Sequence, residues 1–203
     1  MSDSVTQEQR AGFIALVGRP NVGKSTLLNQ VVGTTLAAVA NKPQTTRNRI
    51  VGILNRPGAQ LVFVDTPGIF QPKTPMNSRL VTTAMQALGD ADVVVLVLDA
   101  SAGVTGADRH VAADVAKRPH TVIALTKTDL LSKSALIPAC EAAQALVPKA
   151  ELVPVSGKTG DNVERLLEIV TAKLPIGPAL YPPDQITEQS ERFLAAEIVR
   201  EKV

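Results

Sequence analysis

The sequence predicts a three-layer α/β/α domain built on a mostly parallel, six-stranded sheet. Short aliphatic runs, such as residues 13–17 and 93–98, alternate with stretches of helical periodicity, which is typical of repeated strand–helix–strand units. The run at 93–98 contains only Val and Leu, as expected of a strand buried on both faces. The turn-forming segment 55–58 separates the runs 50–54 and 61–64 and predicts an antiparallel hairpin at one edge.

The remaining elements follow from the same patterns. Apolar residues at spacings of three and four predict four helices, and Gly33 ends the first. The polar, irregular segment 34–49 is predicted to be a loop. The predicted helices span residues 24–32, 107–116, 134–146 and 163–174, and the remaining strands span residues 121–125 and 152–155.

Composition sets limits on the class of protein. The chain has 203 residues, of which 45% are hydrophobic, so one domain with a sizeable core is expected. A formal net charge of +2 does not indicate nucleic-acid binding by charge alone. Cys140 is the single cysteine, so no intrachain disulfide forms. Residues 1–10 are polar and do not resemble a signal peptide, which predicts a cytoplasmic location.

The composition changes near residue 175. Residues 11–175 are predicted to form one domain, and prolines mark a linker at 176–189. Residues 190–203 predict an amphipathic helix capped by Ser190, which is too short to build its own core. We interpret this helix as the start of a second domain.

A phosphate-binding motif lies between the first strand and the first helix. Residues 18–25, GRPNVGKS, match the pattern G-x-x-x-x-G-K-[ST], which is typical of a P-loop NTPase. The backbone N–H groups of such a loop point inward to phosphate oxygens. Lys24 is predicted to reach the β- and γ-phosphates, Ser25 to bind Mg²⁺ and Thr26 to contact the α-phosphate. The predicted nucleotide-binding residues of this loop are Gly18, Asn21, Val22, Gly23, Lys24, Ser25 and Thr26.

Two further segments are candidates for sensing the γ-phosphate. Asp65 directly follows a predicted strand and is expected to hold Mg²⁺ through a water, across from Ser25. Gly68 is expected to offer its backbone N–H to the γ-phosphate. A threonine in the loop before the hairpin would complete the Mg²⁺ shell, and Thr46 is favoured over Thr45. Such segments order around triphosphate and relax after hydrolysis, which makes a switch.

The third group of residues is predicted to recognise the base. Asp129 follows a strand and can accept two hydrogen bonds from guanine N1–H and N2–H₂, whereas adenine would leave this carboxylate unpaired. Thr126 begins the same motif, and Lys127 can lie over the base plane. The backbone of Ser156, Gly157 and Lys158 follows the next strand and is expected to contact guanine O6. All of these segments lie at the carboxyl edge of the predicted sheet, where α/β folds bind ligands.

These motifs, in this order, resemble those of the Era family, bacterial ribosome-assembly GTPases of the TrmE–Era–EngA-like class. The resemblance rests on residues 18–29, 43–49, 65–69, 126–129 and 153–166, and residues 186–203 resemble the family's entry into its KH domain. It implies a GTP-hydrolysing switch followed by an RNA-binding KH domain, of which the opening helix is present.

The resemblance also implies partners. The family's KH domain recognises the 3′ end of small-subunit ribosomal RNA, which implies a role in small-subunit assembly and ribosomal RNA maturation. Peripheral contact with the inner face of the cell membrane is a property of the class, although no residue here argues for it. We expect a monomer. Two residues depart from the family pattern: Thr126 replaces Asn and Gly157 replaces Ala.

Hydrolysis is expected to be slow. Many GTPases orient the attacking water with a Gln directly after the D-x-x-G motif, and this chain has Ile69 and Phe70 there. The water must be held by backbone, by a residue elsewhere or by a partner. Asn21 is a hypothetical K⁺ ligand by resemblance to related GTPases. The residues assigned to hydrolysis are Lys24, Thr46, Gly68 and Asn21, and those assigned to Mg²⁺ are Ser25, Thr46 and Asp65.

Two other functions remain open from the sequence. A scaffold could hold GDP or GTP without useful hydrolysis, but the complete set of Lys24, Ser25 and Asp65 favours an enzyme. An adenine-nucleotide P-loop enzyme, such as a kinase, is disfavoured by Asp129 at a strand end.

Overall fold

The computed structural model describes residues 9–39, 49–66 and 89–202. Within these ranges the strands are β1 (Arg10–Val17), β2 (Ile50–Arg56), β3 (Ala59–Asp65), β4 (Val93–Asp99), β5 (Thr121–Thr126) and β6 (Glu151–Pro154). The helices are α1 (Lys24–Val32), α2 (Gly106–Val115), α3 (Lys133–Gln144), α4 (Val163–Lys173) and α5 (Glu191–Lys202). A 3₁₀ turn spans Thr128–Leu130.

The strands form one six-stranded sheet in the order β2–β3–β1–β4–β5–β6. β2 is antiparallel to β3, and every other pair is parallel. The predicted fold class is therefore confirmed, including the antiparallel edge. The hairpin strands extend further than predicted, because their ladder continues to the pair Arg56 and Ala59 and leaves Pro57 and Gly58 as the turn.

The core consists of two clusters, one on each face of the sheet. On β1, Ile14 and Leu16 belong to a cluster that includes buried residues of α1 and α4. Ala15 and Val17 belong to a second cluster, which includes residues of α2 and α3. This alternation follows from the two-residue repeat of a strand, and it explains why the central strands are aliphatic throughout.

The segment predicted as a linker lies against the edge of the sheet. The backbone N–H of Ile53 in β2 donates to the Ile186 carbonyl over 2.8 Å, and the Thr187 hydroxyl donates to the Val51 carbonyl over 2.6 Å. The side chain of Gln60 in β3 is fully buried, and its oxygen accepts hydrogen bonds from the N–H groups of residues 180 and 181. We call residues 176–189 the edge segment.

The last helix also contacts the domain. Phe193 and Leu194 of α5 are partly buried against the cluster that contains α1 and α4. The N–H of Phe193 donates to the Ser190 hydroxyl over 3.3 Å, which agrees with the predicted helix cap. Among the described helices, none combines the length and the apolar character needed to cross a membrane.

Candidate nucleotide-binding site

The strand register brings the predicted motifs to one edge of the sheet. Asp65 at the end of β3 lies opposite Leu16 of β1, just before the phosphate loop. Asp99 at the end of β4 lies opposite Thr126 at the end of β5. The loop after β6 begins one strand further along. The carboxyl ends of the parallel strands therefore carry the phosphate loop, the metal candidates and the base motifs side by side.

The phosphate loop needs glycine at both ends. A Cβ atom on Gly18 would lie 2.4 Å from the carbonyl oxygen of Val97 in β4, which is too close for any side chain. Gly23 caps α1 with a φ of 98°, a left-handed conformation that glycine adopts without strain. These two positions let the loop pass close to the sheet and then enter α1, whose N-terminus favours anions.

Lys24 is the buried cation of this loop. Its side chain is only 6% exposed, and Nζ donates to the carbonyls of Gly18 and Arg19 over 3.1 and 3.0 Å. Burial lowers the pKa of Lys24 to about 8, with the Asp65 carboxylate acting in the opposite direction and Arg19 adding slightly to the fall. The ammonium group is therefore positioned in a poorly solvated place where a phosphate would be its natural counter-ion.

Two side-chain oxygens that could bind a metal ion, those of Ser25 and Asp65, lie together near Lys24. The Ser25 hydroxyl donates to Asp65 Oδ2 over 2.6 Å, and Asp65 is fully buried. Hydroxyl and carboxylate oxygens are the ligands that Mg²⁺ prefers, so this pair fits the predicted metal. The next residue, Thr66, donates its hydroxyl to the Leu16 carbonyl over 2.9 Å and holds the end of β3 against β1.

The residues predicted to contact the base, which we call the base-reading segment, form a second group at the same edge of the sheet. The Ser156 hydroxyl donates to Asp129 Oδ1 over 2.7 Å and accepts from the N–H groups of Lys158 and Thr159 over 3.3 and 3.1 Å. Asp129 is exposed and borders a cavity of about 340 Å³. Thr26, Lys127, Gly157 and Lys158 also line this cavity. Ser156 thus orients the carboxylate that is predicted to select guanine.

Thr126 and Lys127 join the two groups. The Thr126 hydroxyl donates to the carbonyl of Val22 in the phosphate loop over 2.5 Å, and the Leu98 carbonyl lies 2.9 Å away. Lys127 Nζ donates to the Asn21 carbonyl over 2.8 Å. Thr126, which stands where the family pattern has asparagine, therefore tethers the base-reading segment to the phosphate loop.

Comparison with known proteins agrees with this geometry. A family model described as "50S ribosome-binding GTPase" matches residues 13–127. GTPase Era of Syntrophus aciditrophicus (strain SB) is 47% identical over 96% of this chain and 64% of the relative. GTPase Era of Geotalea uraniireducens (strain Rf4) is 43% identical over 98% of this chain and 68% of the relative. The chain belongs to the Era GTPase family.

The chain spans about two thirds of the length of these Era relatives. A solved structure has the same fold with a TM-score of 0.90 and 37% identity, and it covers 96% of this chain and 67% of that chain. It is a crystal structure of Era in complex with MgGDPNP and nucleotides 1506–1542 of 16S ribosomal RNA. The resemblance inferred from the motifs is confirmed.

The structure places most of the predicted Era site residues in two adjoining groups. The phosphate loop with Asp65 forms one group, and the segments at residues 126–129 and 156–158 form the other. Asn21 has a φ of 63°, a left-handed conformation that asparagine tolerates. Thr46 and Gly68, together with Ile69 and Phe70, lie outside the described residues, so the assignments of Thr46 and Gly68 stay predictions.

Sequence reasoning missed three charged residues next to this Era site. Arg19, Asp99 and Asp108 carry charges that meet beside the phosphate loop. Asp99 ends a buried strand as Asp65 does, so the same sequence pattern could have indicated it. Asp108 lies in α2, and no local pattern relates it to the loop.

Proposed function

We propose that this chain binds GTP and GDP with Mg²⁺ and hydrolyses GTP slowly as a molecular switch. The observation that supports this most strongly is the direct tether between the phosphate loop and the base-reading segment through Thr126 and Lys127. A nucleoside triphosphate whose phosphates are held at Lys24 would extend its base towards Asp129, into the cavity that Asp129 borders. One ligand that fills both places is a guanosine triphosphate.

Ser25 and Asp65 would hold the Mg²⁺ ion, with Thr46 added when the triphosphate is present. The ion supplies a positive charge that offsets the charge developing on the phosphates. The protein's own contribution is to position the phosphates with the inward-facing amides of the loop and to neutralise them with Lys24. Gly68 would donate its N–H to the γ-phosphate.

Asn21 is proposed as a ligand for K⁺ beside the phosphates. Its left-handed backbone fixes where it lies in the loop, and an asparagine amide oxygen is a suitable ligand for a hard cation. The test is the rate of GTP hydrolysis in K⁺ and in Na⁺ buffers of equal ionic strength. Faster turnover in K⁺ that disappears in Asn21→Ala supports the assignment, and equal turnover in the two salts overturns it.

A role in the maturation of the small ribosomal subunit and its RNA is proposed from the relatives. The solved Era structure contains 16S ribosomal RNA nucleotides. We propose that residues 11–175 of this chain form the GTPase domain, residues 176–189 the linker and residues 190–203 the opening helix of a KH-type domain. We propose that the protein acts as a cytoplasmic monomer. By resemblance to its class, we also propose peripheral contact of the protein with the inner face of the cell membrane.

The deciding experiment is a competition titration with GTP and ATP against a fluorescent GDP analogue. GTP should displace the analogue at concentrations at least about tenfold lower than ATP, because Asp129 accepts hydrogen bonds that only guanine donates. The matched variant Asp129→Asn should weaken GDP binding and favour xanthine nucleotides, since the amide reverses one donor–acceptor pair. Equal competition by ATP and GTP would contradict guanine recognition.

A second measurement separates an enzyme from a binding scaffold. Single-turnover release of phosphate from bound GTP should be measurable in the wild type. Tight GTP binding without phosphate release would support the scaffold instead.

A further inference from the structure

Four charged side chains form a largely buried network beside the phosphate loop. Asp99 Oδ2 lies 2.7 Å from Lys127 Nζ and 3.9 Å from a terminal nitrogen of Arg19. Arg19 Nε lies 3.3 Å from the Asp108 carboxylate. The two acidic side chains are only 6% and 2% exposed, whereas the bases are 35% and 18% exposed. The acids are therefore the fixed partners, and the bases are held by them.

The ion pair between Asp99 and Lys127 holds the Lys127 side chain in place. The backbone of Lys127 has a φ of 59°, a left-handed conformation that is unfavourable for most residues other than glycine and asparagine. Its ammonium group is held between Asp99 and the Asn21 carbonyl. Asp99 is itself fixed, because its other oxygen accepts hydrogen bonds from the backbone N–H and hydroxyl of Ser101 and from the N–H of Ala102.

The direction of the pKa shift of Asp99 agrees with an ion pair between Asp99 and Lys127. Burial by itself raises the pKa of Asp99, but the hydrogen bonds from Lys127 and Ser101 and the charge of Lys127 outweigh it. The net result is a pKa below the ordinary value, so the carboxylate stays ionised and pairs with Lys127.

The second half of the network connects the phosphate loop to α2. Asp108 forms a capping box with Thr105, whose N–H and hydroxyl both donate to Asp108 Oδ2 over 2.9 and 2.6 Å. The same carboxylate binds Arg19, the second residue of the phosphate loop. The start of α2 and the start of the phosphate loop are therefore fixed to each other by one buried acid.

We propose that Asp99 and Asp108 are positioning residues for nucleotide binding, because together they hold Lys127 and Arg19 where the base-reading segment and the phosphate loop meet. Neither acid touches the cavity that would hold the base. They act through Lys127 and Arg19. Because these two side chains are already held in place, a nucleotide loses less free energy in ordering them when it binds. The proposal rests on the proposed function.

The test is a pair of double-mutant cycles read by GDP affinity. The first combines Asp99→Asn with Lys127→Met, and the second combines Asp108→Asn with Arg19→Gln. Each acid variant should lower GDP affinity about tenfold in the wild-type background and by no more than about twofold once its basic partner is absent, since contacting residues are not additive. The second cycle decides the matter if Asp99→Asn does not fold.

Asp114→Asn is the matched control, because it removes one exposed negative charge from the same helix as Asp108. Its GDP affinity should equal that of the wild type. A purely structural role would lower thermal stability in the acid variants and give additive losses of affinity, and that result overturns the proposal. Failure of the wild type to bind any guanine nucleotide would instead refute the proposed function.

Discussion

Replacing Thr126 by Val removes one hydroxyl group and keeps the shape of the side chain. That hydroxyl is the direct contact between the end of β5 and the phosphate loop, through the Val22 carbonyl. Thr126 is 2% exposed, so water cannot easily replace the lost donor. The substitution therefore tests whether this tether contributes to nucleotide binding.

The structure limits the size of the expected effect. A hydroxyl has one hydrogen, so Thr126 donates to the Val22 carbonyl or to the Leu98 carbonyl at any moment, although both are within reach. The loss is therefore that of one buried hydrogen bond, about 1–3 kcal/mol. We expect the cost to be divided between a lower free energy of unfolding and a five- to tenfold weaker affinity for GDP, roughly 1 kcal/mol of binding.

The assay is titration of the protein with a fluorescent GDP analogue, accompanied by chemical denaturation. Thr126→Ser keeps the hydroxyl and should bind GDP within about twofold of the wild type. Thr126→Asn can donate to the same carbonyls and should bind at least as tightly as Thr126→Ser. The preference for GTP over ATP should survive in all three variants, because Asp129 is untouched.

Two results would refute this reasoning. If Thr126→Val binds GDP as tightly as the wild type, the tether does not contribute to binding. If Thr126→Ser is as weak as Thr126→Val, the effect comes from packing of the methyl group and not from the hydrogen bond.

Three further predictions follow from the same geometry. Lys24→Met should abolish GDP binding yet raise the free energy of unfolding of the free protein at neutral pH by about 1–2 kcal/mol. The pKa of Lys24 in the folded wild type, about 8, lies below the ordinary 10.5. The free energy of unfolding of the wild type therefore rises as the pH increases from about 8 to 10.5. The stability advantage of Lys24→Met should shrink over this pH range when denaturation is measured as a function of pH. Gly157→Ala should weaken GDP binding about threefold in the same titration, because its Cβ would lie 3.1 Å from the Leu27 backbone nitrogen; unchanged affinity would show that the loop can shift freely. Gln60→Ala should lower the free energy of unfolding by about 2 kcal/mol and speed proteolysis of the edge segment, which Gln60 binds through its side-chain amide; unaltered cleavage would contradict this.

The fold was predictable because its signals are local. The six strands, their parallel arrangement and the antiparallel hairpin all follow from aliphatic runs, helical spacing and one turn. The motifs at residues 18–25, 65, 126–129 and 156–158 could be placed together for the same reason, since each follows a strand and parallel strands end at one edge. The role of the edge segment was not predictable, because proline marks only where regular structure ends.

The sequence by itself determined the fold class and the phosphate loop, and it predicted the Mg²⁺ candidates and the recognition of guanine by Asp129, because each depends on residue types within a few positions of a strand end. Only the tertiary structure decided that Thr126 reaches Val22, 104 positions earlier, and that Asp108 binds Arg19 across 89 positions. Such contacts depend on strand register and on how α2 packs against the sheet. Packing of this kind brings distant segments together without leaving a periodic pattern in either one.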